Sequence, residues 1–206
     1  MHTLLTFGDS ILDCGRYNAH GVHPGALLVR NDDARFPEFA RHDLASRGPA
    51  RLVHRARDGA TVEDLPRQLS GVEVDGPATA LLTVGGNDLL RGLVFGTGLD
   101  LRDFGLRLES FATALPVRPL LIGNVYDPSL GDDSRNFLPV APRLAREAHR
   151  RLDETIATVA ARHGTLVDLH AHFLTGDASW FTSTIEPSLV GASEVRRAFL
   201  PHVLAG

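Results

Sequence analysis

"ALLTVGGND", Ala80 to Asp88, decides how the chain is organised. Its first five residues are apolar or β-branched with no polar alternation, the pattern of a strand buried on both faces. A strand of that kind belongs in a parallel sheet covered by helices, because parallel neighbours need crossover connections that lie on the sheet faces. The Gly-Gly-Asn-Asp that follows is turn chemistry. The polar segment therefore falls just beyond a strand's carboxyl end, where open parallel sheets bind their ligands.

Four more short runs of the same character flank it: Thr3–Phe7 ("TLLTF"), Leu52–Ala56 ("LVHRA"), Pro119–Gly123 ("PLLIG") and Thr165–Leu169 ("TLVDL"). Between and after them Phe36–Ser46, Thr61–Leu69, Asp103–Leu115, Pro142–His163 and Ser193–Leu204 carry apolar residues three and four apart, which predicts helices. Strands alternating with helices imply right-handed βαβ crossovers and one α/β domain spanning residues 1–206. There is no repeat, and no linker is long enough to separate one domain from another.

Composition narrows the function. A net charge of −4 without basic clusters argues against a nucleic-acid or anionic-membrane surface, so neither partner is expected. All 21 basic residues are arginines, which excludes a Walker-type phosphate lysine, a Schiff-base lysine and a Ser-Lys dyad. A single cysteine, Cys14, allows neither an internal disulfide nor a cysteine-cluster zinc site, and its place suggests a small buried hydrophobe. No leader-like or membrane-length apolar run is evident, so a cytoplasmic location is expected. No cofactor or metal is required.

The residues after each strand run gather small and polar groups on one rim. Gly8-Asp9-Ser10 can present a serine hydroxyl and its own N–H above the sheet edge, at a strand-to-helix turn. Gly59, in "DGATVED", leaves an N–H unobstructed; Thr61 and Asp64 form a variant capping box in the same segment. The side-chain amide of Asn87 can donate to a developing oxyanion, and Asp88 can cap the helix that follows. Each piece has a plain structural reading as a cap or turn. Their order, each directly after a parallel strand, is what gives them weight together.

Three segments, "TFGDSILDCG", "ARDGATVEDL" and "TVGGNDLL", resemble blocks I, II and III of the SGNH (GDSL) hydrolase family. The resemblance implies a flavodoxin-like three-layer α/β/α fold with a five-stranded parallel sheet. It also implies hydrolysis of a small ester or acyl substrate through an acyl-serine. Ser10 would be the nucleophile, and Ser10 N–H, Gly59 N–H and the Asn87 side chain the oxyanion hole.

The family's fourth block is Asp-x-x-His-Pro. Here "WFTSTIEPSLVG" keeps Pro187 and Gly191 but has Ser183 and Glu186 in place of the aspartate and histidine. Glu186 is then the leading candidate for the base. An ordinary glutamate, with a pKa of about 4.3, is a weak base at neutrality, but apolar neighbours such as Trp180, Phe181 and Ile185 would raise it. Ser183 could orient it. A histidine from elsewhere is the second possibility. His20 and His23 lie in the loop after block I, while His170 and His172 with Asp168 make an Asp-x-His-x-His pattern that, if extended, could also bind a metal. The third is a binding protein that keeps the oxyanion hole and has lost turnover.

Two polar loops complete the rim. Asp127, Asp132 and Asp133 lie in Asn124–Phe137, which reads best as a solvated loop and could instead gate a pocket or hold a hard cation. In Leu27–Phe39, Asn31 or Asp33 could cap a helix, and Arg30 or Asn31 could contact substrate.

Overall fold

The computed structural model describes residues 1–205. Five strands, β1 (His2–Gly8), β2 (Ala50–His54), β3 (Ala78–Thr83), β4 (Leu120–Gly123) and β5 (Thr165–Val167), form one sheet in the order 2-1-3-4-5. All four pairings are parallel, with Leu5 opposite both Val53 and Ala80, and Leu82 opposite Ile122.

Successive strand residues supply opposite faces. Leu5, Phe7, Leu82 and Ile122 pack with Phe104 and Phe111 of helix α4 (Leu101–Ala114) and Leu152 and Ile156 of α5 (Pro142–His163). Leu4, Leu81 and Leu121 pack on the other side with Leu27 and Leu28 of α1 (Pro24–Val29) and Val195 and Phe199 of α7 (Leu189–Ala205). Burying each such side chain contributes about 1.5–3 kcal/mol. The result is the three-layer α/β/α arrangement expected from the strand runs.

The long helix α5 spans the predicted Pro142–His163, with proline at its first turn where no N–H is missed. Helix α4 starts two residues before the prediction because Asp100 caps it, accepting from Arg102 N–H and Asp103 N–H at 3.0 Å. Thr61–Leu69 forms as a 3₁₀ turn (Val62–Asp64) running into α2 (Leu65–Leu69), with Thr61 N–H donating to Asp64 Oδ2 at 2.9 Å. A helix predicted over Phe36–Ser46 does not form. Only 3₁₀ turns at Pro37–Phe39 and Ala45–Arg47 appear, and Arg41 between them has a positive φ of 65°. The Asp43 carboxyl takes the Asn31 and Ser46 N–H groups, so this segment is tied down locally instead of by a helical ladder.

Helix α3 (Gly86–Val94) follows β3, and a short α6 (Leu169–Phe173) follows β5. Beyond it a two-stranded hairpin, β6 (Phe181–Thr182) and β7 (Glu186–Pro187), leads into α7. Among the described residues no helix is long and apolar enough to cross a membrane.

Candidate active site

Ser10 follows β1 and is almost wholly buried. The chain makes a single turn there, with Leu12 and Asp13 N–H both donating to Asp9 O; a 3₁₀ turn comes only at Gly15–Tyr17. The expected strand-to-helix turn is thus corrected: the next α-helix starts at Pro24, so no helix dipole stands behind the serine. The turn is held from below. Asp9 N–H donates to Thr83 O at 3.0 Å, and Asp9 Oδ1 accepts from Thr83 Oγ1 at 2.8 Å and from Ile11 N–H at 3.2 Å. Gly8 is held by Gln68 of α2, which accepts from its N–H at 2.6 Å and donates to its C=O at 2.9 Å. Gln68 was invisible to pattern reading, since a glutamine sixty residues away carries no local signal.

Gly59 lies in a turn from Arg57 to Ala60, closed by Ala60 N–H to Arg57 O at 3.1 Å. Its φ of +78° is that of the third position of a type II turn, which favours glycine. Among the described residues neither Ser10 N–H nor Gly59 N–H is given to another protein group. Asn87, in the first turn of α3, donates one amide hydrogen to Ala60 O at 2.9 Å. That contact orients the amide and ties the turn to α3. The other hydrogen stays available.

Glu186, in β7, is 9% exposed and its Oε2 has no hydrogen-bond partner among the described residues. Burial raises its carboxyl pKa; the Ser10 hydroxyl, in contact with it, works the other way, and Asp58 and Arg16 add smaller opposed effects. The hairpin is placed by Tyr126, whose hydroxyl donates to Ile185 O at 2.7 Å and whose ring stacks on Phe173 at 4.5 Å. Ser183 and Thr184 form its tip with positive φ values of 48° and 75°. Ser183 is exposed and makes no bond to Glu186, so the expectation that it orients the carboxylate does not hold.

Ser10 and Asn87 open onto a cavity of about 100 Å³. Its walls include Ile11, Leu89, Leu90, Val125 and Ile185, with the Asp127–Leu138 loop along one side. That loop does line the pocket, but its carboxylates are used within it or against a neighbouring helix. Asp127 accepts from Ser129 and Gly131, Asp132 from Ser134, and Asp133 pairs with Arg146. Asn31 is buried outside the Ser10 pocket, its side chain bonded to Asp33, the Phe36 carbonyl and Arg196, so it is committed to holding its own loop instead of contacting substrate there.

The histidines go elsewhere. His170 and His172 lie on helix α6, capped by Asp168, rather than on an extended strand, so they diverge. His172 Nε2 meets Glu194 at 3.0 Å, and His170 Nδ1 meets Asp153 at 3.0 Å; neither lines the Ser10 pocket. His20 is exposed beside Arg35, and His23 packs against His54 with ring centroids 4.3 Å apart and the planes tilted by 30°. His149, Asp153 and His170 bring ligand-type atoms within 4.8 Å of one another. The two rings are stacked 4.7 Å apart and within 10° of parallel. Metal–nitrogen bonds of about 2.0–2.1 Å lie in the ring plane, and no single ion lies in both planes as they stand. The cluster instead braces the pocket wall: Asp153 accepts from Val125 N–H at 3.1 Å and His149 Nε2 bonds Val125 O at 2.7 Å.

Two further carboxyls stand nearby, Asp9 buried beside the serine in its turn and Asp88 half-buried, accepting from Val62 N–H. Burial pushes Asp9 up to about 7 and Asp88 up to about 6. A carboxyl whose folded pKa is raised binds more protons in the folded state between its two pKa values, so stability falls as pH rises through that window. For Asp9 the window runs from about 4 to about 7. Asp9→Asn mimics the neutral acid and keeps its acceptor oxygen. Its Tm relative to wild type is expected to gain several degrees more at pH 8 than at pH 4.5; an equal difference at both pH values, in thermal melts, would show that Asp9 ionises freely.

Comparison with known proteins agrees with this architecture. The family model described as the GDSL-like lipase/acylhydrolase family matches residues 6–191. No curated protein matches. Among solved structures, a variant of Axe2, an acetyl xylan esterase from Geobacillus stearothermophilus, is similar over 98% of this chain and 94% of its own, with 22% identity and a TM-score of 0.72. LAE5, an alpha/beta hydrolase enzyme from the metagenome of Lake Arreo, Spain, is similar over 98% of this chain and 94% of its own, with 25% identity and a TM-score of 0.68. Catalytic mutants of Axe2 replace a serine, an aspartate or a histidine by alanine.

Proposed function

The chain belongs to the GDSL-like lipase/acylhydrolase family and is an ester-acting hydrolase, and from that premise we propose that it cleaves small esters through an acyl-serine on Ser10 with Glu186 as the base. The observation that carries this reading is a buried carboxyl, Glu186, whose Oε2 has no hydrogen-bond partner among the described residues and which lies near the Ser10 hydroxyl, beside two uncommitted backbone N–H groups.

The steps follow from that placement. Glu186 removes the Ser10 proton as Oγ attacks the ester carbonyl. The negative charge that develops on the carbonyl oxygen is met by Ser10 N–H, Gly59 N–H and the free Asn87 amide hydrogen. As the intermediate collapses, the ester C–O bond breaks and protonated Glu186 returns the proton to the leaving alkoxide. Water, deprotonated by the same carboxylate, then releases the acid and restores Ser10. The apolar cavity takes the acyl group. At about 100 Å³ it is smaller than the roughly 150 Å³ apolar cavity that holds benzene, which favours short acyl chains.

The test combines turnover with labelling. Wild type should hydrolyse p-nitrophenyl acetate and butanoate faster than the octanoate, and a fluorophosphonate should modify Ser10. Ser10→Ala should lose both. Labelling without turnover of any ester would leave an acyl-binding protein; neither signal would sink the assignment of Ser10.

A further inference from the structure

Behind the Gly59 turn runs a chain of polar contacts that the reaction itself does not use. Asp58 N–H, one peptide before the Gly59 N–H, donates to Asp13 Oδ2 at 3.0 Å. The other oxygen, Asp13 Oδ1, meets His54 Nε2 at 3.0 Å, and His54 Nδ1 meets Thr6 Oγ1 at 2.6 Å. With its proton on Nε2, a neutral His54 satisfies both contacts, donating to Asp13 and accepting from Thr6. Hydroxyl, imidazole and carboxylate are thus connected as in a catalytic relay. Yet Thr6 has 0% exposure inside β1, and no substrate reaches it. The connection has a different consequence: it roots Asp13 in two neighbouring strands of the sheet.

What Asp13 holds is the backbone in the middle of the turn; the Asp58 carboxylate is held separately, accepting from Tyr17 Oη at 2.8 Å and Arg16 at 3.0 Å. Arg57 N–H donates to Gly8 O at 2.8 Å before the turn, and Asn87 holds Ala60 O after it. Between these ties, among the described residues, the turn is closed by its own Ala60 N–H to Arg57 O bond, and its backbone is anchored to the rest of the fold by Asp13, at the Asp58 N–H, and by an exposed Arg91 contact to Gly59 O at 3.3 Å. Asp58 N–H lies in the peptide plane just before the one that carries Gly59 N–H, so holding it, together with the Ala60 N–H to Arg57 O closure of the turn, narrows the Asp58 torsions that aim the Gly59 N–H. Asp13 also belongs to the nucleophile's own turn, its N–H donating to Asp9 O at 3.0 Å. One turn therefore carries Ser10 at one end and the anchor of the second oxyanion donor at the other.

We infer that Asp13, oriented by His54, is a positioning residue that sets the Gly59 N–H against the Ser10 N–H so that both donors meet the same oxyanion. This rests on the proposed role of Gly59. A donor that points wrongly is costly, since losing one such hydrogen bond lowers kcat by about 10²–10³-fold. A displaced donor should cost less.

The experiment measures p-nitrophenyl acetate kinetics and fluorophosphonate labelling rates in Asp13→Ala, Asp13→Asn, His54→Ala and Ser10→Ala. Asp13→Ala should lower kcat about 10–100-fold with KM within about twofold, and slow labelling by a similar factor. Asp13→Asn, which keeps an oxygen for the Asp58 N–H, should recover most of that loss, and His54→Ala should fall between. If Asp13→Ala does not fold, the Asn and His54 variants carry the comparison. Wild-type kcat in Asp13→Ala, a loss confined to KM, or an Asn variant as slow as the Ala variant would overturn the inference. Turnover retained in Ser10→Ala would instead overturn the reading on which it rests, whatever Asp13 does.

Discussion

Glu186→Gln is expected to lower kcat by about 10²–10⁴-fold, the range over which a general base contributes. Glutamine keeps the size and an acceptor oxygen, so the hairpin should stand and Ser10 should still occupy its turn. What is lost is a group able to take the Ser10 proton. The wild-type enzyme should also show an acid limb in kcat/KM, because only the ionised carboxylate is a base. Burial places that limb above the ordinary glutamate range, and activity rises with pH through it. The raised pKa helps twice: it makes the carboxylate more basic and brings it closer to the working pH. In Glu186→Gln the acid limb should vanish together with the rate. A wild-type rate in this variant would remove Glu186 from the mechanism.

The second large effect concerns a residue that touches no substrate. Gly8→Ala should destabilise the protein by roughly 3–5 kcal/mol, combining backbone strain with a core overlap. Gly8 has a φ of +107°, and a Cβ there would land on the Thr83 carbonyl oxygen, inside van der Waals distance. That carbonyl also accepts from Asp9 N–H at 3.0 Å, so it cannot withdraw without releasing the nucleophile's turn. Gly8 itself is clamped through both backbone polar groups by Gln68. Denaturant unfolding measures the loss, and activity should fall with it. An unchanged midpoint in Gly8→Ala would mean that β1 and β3 can separate there without cost.

Much of the architecture was legible because its causes are local. The apolar runs around Leu4, Leu81 and Leu121 had to be strands of a covered parallel sheet, and Pro142–His163 had the periodicity of a helix along its whole length. The glycine that a type II turn requires marked residue 59, and the Asn after Gly85-Gly86 marked the third rim position. Phe36–Ser46 misled for a physical reason. Its spacing is helical, but Pro37 and the Asp43 side chain offer the backbone other partners, and helix propensity is a weak prior against such competition. The Asp168-x-His170-x-His172 pattern misled likewise, since Asp168 caps a helical turn and a helix sends residues two apart to different sides.

By itself the sequence determined the five strands, the rim that follows them, and the candidate groups Ser10, Gly59, Asn87 and Glu186. Those depend on pattern and turn chemistry within a few residues and, for Glu186, on the resemblance of its segment to the family's fourth block. Only the tertiary structure decided which partners these groups meet. It brought Glu186 to Ser10 across the whole chain, sent His170 to Asp153 and His172 to Glu194, and linked Asp13 to His54. The reason is that hydrogen bonds and burial depend on distance in space, and closing loops of tens of residues leaves no trace in local spacing.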